Sequence, residues 1–198
     1  MKEEKIYKKV KVFAICGKAG SGKDTIMKLL FNLYKDSNLH KVTPCTTRPM
    51  REGESEGNPY HFITPEQYSK ELLNGELVEA TSFRNWFYGT SLKSFSLNKI
   101  NVGIFNPEGI NCLLDNPIFD VEVVYIDVSD KERLVRQLTR EESPDVKEII
   151  RRYHADEEDF KHLGLDYGYI TLDNTSSSKE DLFKVCEKLF ELTQCQNN

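Results

Sequence analysis

The apolar positions of this chain fall into runs and stripes that alternate in kind. Val10–Cys16 is apolar everywhere except Lys11, and so short and β-rich a run predicts a strand covered on both faces. Ile26, Leu29, Leu30 and Leu33 then recur at i, i+3, i+4 and i+7, predicting a helix from about Lys23 with a single apolar stripe. Strand-like runs return at residues 102–105, 121–128 and 169–172, with a helix expected from about Pro107 between the first two. Ser129 to Glu132 has capping-box spacing ahead of Leu134, Val135 and Leu138, and a last helix from about Ser178 carries Leu182, Val185, Leu189 and Leu192. Strands alternating with helices predict an α/β protein with a doubly wound parallel sheet.

Two stretches break the rhythm. Residues 40–90 turn to Arg, Glu, Gly, Thr and Tyr, with turn residues at Pro49, Gly53, Gly57, Asn58 and Pro59, and read as an insertion of short strands. Inside it, Thr64 and Pro65 mark a helix start that Gly75 can close, and a β-rich piece follows at Leu77–Phe83. Residues 140–159 are dense in both charges and read as a solvated, mobile helical segment, with Asp156 to Asp159 as an exposed helix face.

Composition narrows the function. With 198 residues, 38% hydrophobic and 11% aromatic, the chain suits one folding unit with a real core. Its 27 basic and 32 acidic residues leave a net charge of −5, which argues against a nucleic-acid polymer as partner and requires any phosphate chemistry to use local charge. The lysine-rich start lacks the apolar centre of an export signal, and no run approaches the ~20 apolar residues of a membrane span. A cytoplasmic protein without a membrane partner, monomer or homodimer, is the expectation. Cys16, Cys45, Cys112, Cys186 and Cys195 are odd in number and show no C-x-x-C spacing, so free or buried thiols are expected. Asn174-Thr175-Ser176 fits a glycosylation pattern that a chain without export would leave unused.

The strongest local signal is Gly17-Lys18-Ala19-Gly20-Ser21-Gly22-Lys23, which matches G-x-x-x-x-G-K between a buried strand and an amphipathic helix. Such a loop turns successive amide N–H groups and a helix N-terminus toward a phosphate, and Lys23 adds a full charge. A nucleoside triphosphate is the expected ligand, bound by Gly17 through Thr25. Asp24 stands where Ser or Thr would hold Mg²⁺, and Thr25 comes one residue later; Asp24, Thr25 or neither is the metal ligand at this stage.

With that loop, the chain resembles the guanylate kinase family. Further matches are Thr46-Thr47-Arg48-Pro49-Met50-Arg51-Glu52-Gly53-Glu54 with Gly57 and Tyr60-His61-Phe62, then Glu79 and Tyr88-Gly89-Thr90-Ser91, then Arg136, Arg140 and Arg151 at lid-arginine spacing. The resemblance implies a P-loop NTPase-type three-layer fold in one domain spanning 1–198: core 1–38, 97–132 and 163–198, a monophosphate-binding segment at 39–96 and a helical lid at 133–162. It implies phosphoryl transfer from ATP, with Mg²⁺, to a nucleoside monophosphate. Arg48, Arg51, Tyr60 and Tyr88 would hold the acceptor phosphate, and Glu79, Thr90 and Asn106 the base. Lys23, Arg140 and Arg151 would act in transfer, and Arg136 would lie beside ATP. The chemistry agrees: a doubly charged monophosphate needs forked donors such as Arg48 and Arg51, with tyrosine hydroxyls beside them.

Departures from the family pattern concern the base. Pro44 replaces a serine that reads guanine O6, while Ile104 and Asn106 replace two aspartates; Glu79 and Thr90 still favour GMP or dGMP, with a deoxynucleoside monophosphate kinase of altered or broadened base choice as the alternative. Asp173-Asn174 reverses the family's usual order, which leaves an adenine-contact role there unassigned. A noncatalytic peptide-binding module is a further alternative, opposed by the intact Gly20, Gly22 and Lys23. The four histidines lack ligand spacing, and Trp86 and Phe87 are either core or base-site residues.

Overall fold

The computed structural model describes residues 9–140, 142–163, 167–176 and 178–195; the lysine-rich start at 1–8 and the end at 196–198 lie outside the described residues. Along the chain run β1 (Val10–Cys16), α1 (Lys23–Leu33), β2 (Leu39–Lys41), β3 (Cys45–Thr46), β4 (His61–Phe62), α2 (Pro65–Leu73), β5 (Leu77–Phe83) and β6 (Trp86–Ser91). Then come β7 (Ile100–Ile104), α3 (Pro107–Asp115), β8 (Phe119–Asp127), α4 (Asp130–Thr139), α5 (Val146–Asp159), β9 (Ile170–Asp173) and α6 (Lys179–Gln194).

Five strands form a parallel sheet in the order β2-β7-β1-β8-β9. β1 is paired on both edges, so its backbone is satisfied and its side chains are free to be apolar on both faces. Alternation then sends Phe13 and Ile15 to one core with Ile26, Met27 and Leu30 of α1 and Val185, Cys186 and Leu189 of α6. Val12, Ala14 and Cys16 point to a second core, closed by Ile110 and Leu113 of α3. Helices thus cover both faces, giving the three-layer α/β fold.

Residues between Lys41 and Ile100 form a second sheet, β4-β3-β6-β5, with β3 parallel to β4 and antiparallel to β6. β2, at the start of the segment expected as an insertion from residue 39, pairs with β7 in the main sheet instead. α2 begins with a full capping box between Thr64 and Gln67 and packs Tyr68 onto the second sheet, its hydroxyl donating to the Tyr88 carbonyl at 3.0 Å.

Two apolar stripes differ from expectation. In α1, Leu33 is the last helical residue and is 44% exposed, while Met27 joins Ile26 and Leu30 in the core. In α4, Val135 and Leu138 are 43% and 40% exposed, and the buried residue is Arg133. The inner face of α4 meets backbone carbonyls of the glycine loop and carboxylates of α5, so a cation suits it better than leucine.

Candidate active site

β1 delivers the chain into the glycine loop at the C-terminal edge of the main sheet, and α1 carries it away. Two glycines there are dictated by space as well as backbone. A Cβ at Gly20 (φ 83°) would sit 2.6 Å from the Arg133 carbonyl oxygen, and one at Gly22 (φ 86°) 2.7 Å from Asn174 Nδ2. Gly22 is the N-cap of α1 and no side chain caps it, so the first N–H groups of the helix remain available to an anion beside Lys23. The loop is held by its surroundings. Asn174 Nδ2 donates to the Ser21 carbonyl at 2.8 Å, Gln137 Nε2 to the Ala19 carbonyl at 3.3 Å, and Arg136 Nη1 to the Gly20 carbonyl at 3.5 Å. Arg136 also donates to the carbonyls of Asn174, Thr175 and Ser176, tying α4 to the loop after β9. Asn174, expected to be a spare glycosylation pattern, is a buried strut.

The acidic end of α5 corrects the exposed-face reading. The Ala19 amide donates to Asp156 Oδ2 at 2.7 Å, and Lys18 Nζ to Glu157 Oε1 at 2.6 Å. Between the two carboxylates lies Arg133, 1% exposed, which also pairs with Asp130 at 2.7 Å and has Tyr153 4.8 Å from its guanidinium. A carboxylate of α5 therefore sits on a backbone amide of the glycine loop. Burial pushes the Asp156 carboxyl above its ordinary value, with the Ala19 amide and the charges of Arg133 and Lys23 pulling the other way. Nothing in the spacing of the sequence singled out Arg133; the Asp130 three residues before it was the only local hint.

On the opposite side, the second sheet gathers the expected acceptor-phosphate residues. Arg48 is 7% exposed and forks onto Glu54 at 3.0 and 2.9 Å, with a further bond to the Pro49 carbonyl at 2.8 Å. That pairing raises its pKa further. The Tyr60 and Phe62 rings lie 5.6 Å from its guanidinium, and Tyr60 and Tyr88 meet edge to face at 5.8 Å. Glu54 also accepts from the Arg51 backbone amide at 2.8 Å, so it fixes the Arg48 guanidinium and the main chain at Arg51. The Arg51 guanidinium is exposed, with no hydrogen-bond partner among the described residues. Burial pushes the Tyr60 phenol up, keeping its proton available for donation.

Next to these, a chamber of ≈ 140 Å³ is lined by Pro44, Tyr60, Glu79, Tyr88, Ile104 and Asn106, among others. Thr90 donates to Glu79 Oε1 at 2.7 Å. Burial raises the Glu79 pKa, and the Thr90 hydrogen bond opposes the rise. Pro44, Tyr60 and Ile104 also border a larger cavity of ≈ 430 Å³ that runs between the second sheet and α1, with Asp24 on its wall and Thr25 not. Trp86 and Phe87 line neither: they sit on the exposed β5–β6 hairpin, where Phe87 stacks on Tyr68 at 5.1 Å. Among the described residues no three His, Cys, Asp or Glu side chains converge as a metal cage.

Of the three arginines expected to act together, Arg136 alone reaches the glycine loop, and Arg140 and Arg151 lie elsewhere. Arg140 is the C-cap of α4 and lines a small cavity with Asp145, Glu148 and Arg152. Arg151 forks onto Glu148 at 2.8 and 2.9 Å, and its guanidinium lies 5.4 Å from the Phe83 ring. Glu148 also binds Arg152 at 2.9 Å and Arg84 at 3.2 Å, so α5 touches the tip of the β5–β6 hairpin.

The sequence profile of the family described as Guanylate kinase matches residues 9–191. A guanylate kinase of Campylobacter jejuni is 28% identical over 167 residues, covering 82% of this chain and 80% of its own length. One from Helicobacter hepaticus is 28% identical over 183 residues, covering 90% of each. One from Thermotoga maritima is 40% identical over a shorter stretch of 95 residues, 48% of this chain and 44% of its own. The crystal structure of guanylate kinase from Anaplasma phagocytophilum superposes with a TM-score of 0.64 at 20% identity, covering 96% of this chain and 87% of that one, a likeness of fold.

Proposed function

Since the chain belongs to the guanylate kinase family and is a nucleoside monophosphate kinase, we propose that it transfers the γ-phosphoryl group of ATP to GMP or dGMP. The observation that carries this reading is a single cavity whose wall holds Asp24, next in sequence to Lys23, and Tyr60, whose ring lies against Arg48. On one side are the uncapped start of α1 and Lys23, and on the other Arg48, Arg51, Tyr60 and Tyr88.

In this reading an oxygen of the acceptor phosphate attacks the γ-phosphorus as the bond to the ADP oxygen breaks, without a covalent enzyme intermediate. Arg48 and Arg51 neutralise and orient the attacking phosphate, and Tyr60 and Tyr88 donate to it. Glu79 accepts from the ring N–H of the base. Glycine-loop amides and Lys23 hold the donor phosphates, Arg136 borders the donor site, and Arg140 and Arg151 add charge once Arg151 leaves Glu148. Asp24, on the cavity wall that faces the acceptor, is the residue that would hold Mg²⁺; one carboxylate suits an ion that takes most of its ligands from phosphate and water. When bound, the ion withdraws charge from the transferring phosphates. Lid closure excludes water as a competing acceptor. The cytoplasm is the compartment this reading implies.

The test is ADP release from ATP with GMP and with dGMP as acceptors. Turnover with either supports the reading, and no ADP with either at millimolar acceptor overturns it.

A further inference from the structure

We propose that Arg84, at the tip of the β5–β6 hairpin, is a positioning residue for phosphoryl transfer: it keeps hold of the Glu148 carboxylate so that Arg151 can leave it for the moving phosphoryl group. The proposal rests on the kinase reading above and names what releases Arg151. The Glu148 side chain is 16% exposed, and its oxygens accept four hydrogen bonds, the capacity of a carboxylate. Oε2 takes Arg151 Nε at 2.8 Å and Arg84 Nη2 at 3.2 Å, while Oε1 takes Arg151 Nη2 and Arg152 Nε, each at 2.9 Å. Arg84 and Arg151 therefore meet on one oxygen. Without Arg84, departure of Arg151 would leave Oε2 of a largely covered carboxylate bare, which is costly. With Arg84 in place, departure leaves one guanidinium on each oxygen, and the carboxylate stays paired.

The hairpin presents Arg84 for this contact at some expense. Arg84 and Asn85 form the two-residue turn between the paired Phe83 and Trp86, and both have positive φ, 49° and 68°. Such a turn favours Asn and Gly, so an arginine at its first position carries strain that making the turn does not require. The Phe83 ring then seats both cations, lying 5.2 Å from the Arg84 guanidinium and 5.4 Å from that of Arg151. Two like charges at one ring and one oxygen repel each other, so the hold of Arg84 weakens that of Arg151. β5 and β6 also carry Glu79 and Tyr88, so the group that frees Arg151 travels with the acceptor site. Arg151 is thereby released where α5 meets the sheet that holds the acceptor.

The experiment measures single-turnover phosphoryl transfer to GMP or dGMP at saturating ATP and Mg²⁺ in the wild type, Arg84→Asn, Glu148→Ala and the double variant, with melting temperatures alongside. Asparagine suits positive φ better than arginine and lacks a guanidinium, so Arg84→Asn removes the contact while keeping or stabilising the hairpin. It is expected to slow transfer by ~5-fold, the worth of an ion pair whose arginine is 66% exposed, with the acceptor concentration at half-maximal rate unchanged. With Glu148 gone there is no carboxylate to hold, so in the Glu148→Ala background the same substitution should change the rate by less than ~2-fold. An Arg84→Asn rate equal to or above that of the wild type, a loss confined to acceptor affinity, or a loss undiminished in the Glu148→Ala background overturns the inference while leaving the kinase reading intact. Absence of transfer by the wild type to both GMP and dGMP overturns the kinase reading itself, and this inference with it.

Discussion

Arg48 and Arg51 are three residues apart and chemically alike, yet the structure separates what they do. Arg48 is locked by a bidentate pair with Glu54 and walled by two aromatic rings, whereas the Arg51 side chain projects into solvent. Arg51→Ala should therefore raise KM for the monophosphate by ~10- to 100-fold, the worth of one charge-assisted contact, with an unchanged melting temperature. Arg48→Ala should raise KM and also lower the melting temperature, since it leaves the largely covered Glu54 carboxylate without its guanidinium partner. Calorimetry alongside kinetics checks both, and equal melting temperatures for the two variants would contradict the division. Lys23→Ala acts on the other substrate: kcat should fall by ~100-fold or more with KM for the monophosphate little changed.

At the scale of elements, α5 is the segment whose role shifted most between sequence and structure. Its dense charges read as a solvated helix face. In the fold, one end touches the β5–β6 hairpin through Glu148, and the other seats Asp156 and Glu157 against the glycine loop. Because Asp156 occupies an amide that phosphate would use, Asp156→Ala should tighten ATP binding by up to ~10-fold, about one hydrogen bond to a charged group, as calorimetric titration would register. Weaker or unchanged binding would mean that the carboxylate does not compete. Glu148 offers a pH test. Hydrogen bonds from Arg151 and then Arg152 hold its carboxyl at about 2, against an ordinary 4.5. A depressed carboxylate stabilises the fold fully above its ordinary pKa and loses that contribution as pH falls through its folded value. The melting-temperature difference between wild type and Glu148→Gln should thus be flat from pH 8 to about 5 and shrink toward pH 2.

Across the whole molecule, one parallel sheet organises two cores, and the thiols report on them. Burial raises Cys16 to about 12 and both Cys45 and Cys186 to about 11, while Cys195 is exposed. Under native conditions at neutral pH, Cys195 should be alkylated readily and Cys16, Cys45 and Cys186 only on unfolding, which mass spectrometry of labelled protein would follow. Among the described residues no helix is long and apolar enough to cross a membrane. Runs such as Val10–Cys16 and caps such as Thr64, Ser129 and Ser178 were legible because strand burial and helix starts are written in local periodicity and in single side chains. The glycine loop was legible for the same reason, since its shape follows from residues adjacent in sequence. What lay out of reach was any feature made by residues far apart: Arg133 among three carboxylates, Asp156 on the Ala19 amide, Asn174 bracing Ser21, Arg84 on Glu148. The order of amino acids determined the elements, the glycine loop and the set of charged groups available for chemistry. Which of those charges face a ligand and which neutralise one another was decided only by tertiary structure, because ion pairs and hydrogen bonds depend on distances of a few ångströms between segments that the chain itself leaves unconnected.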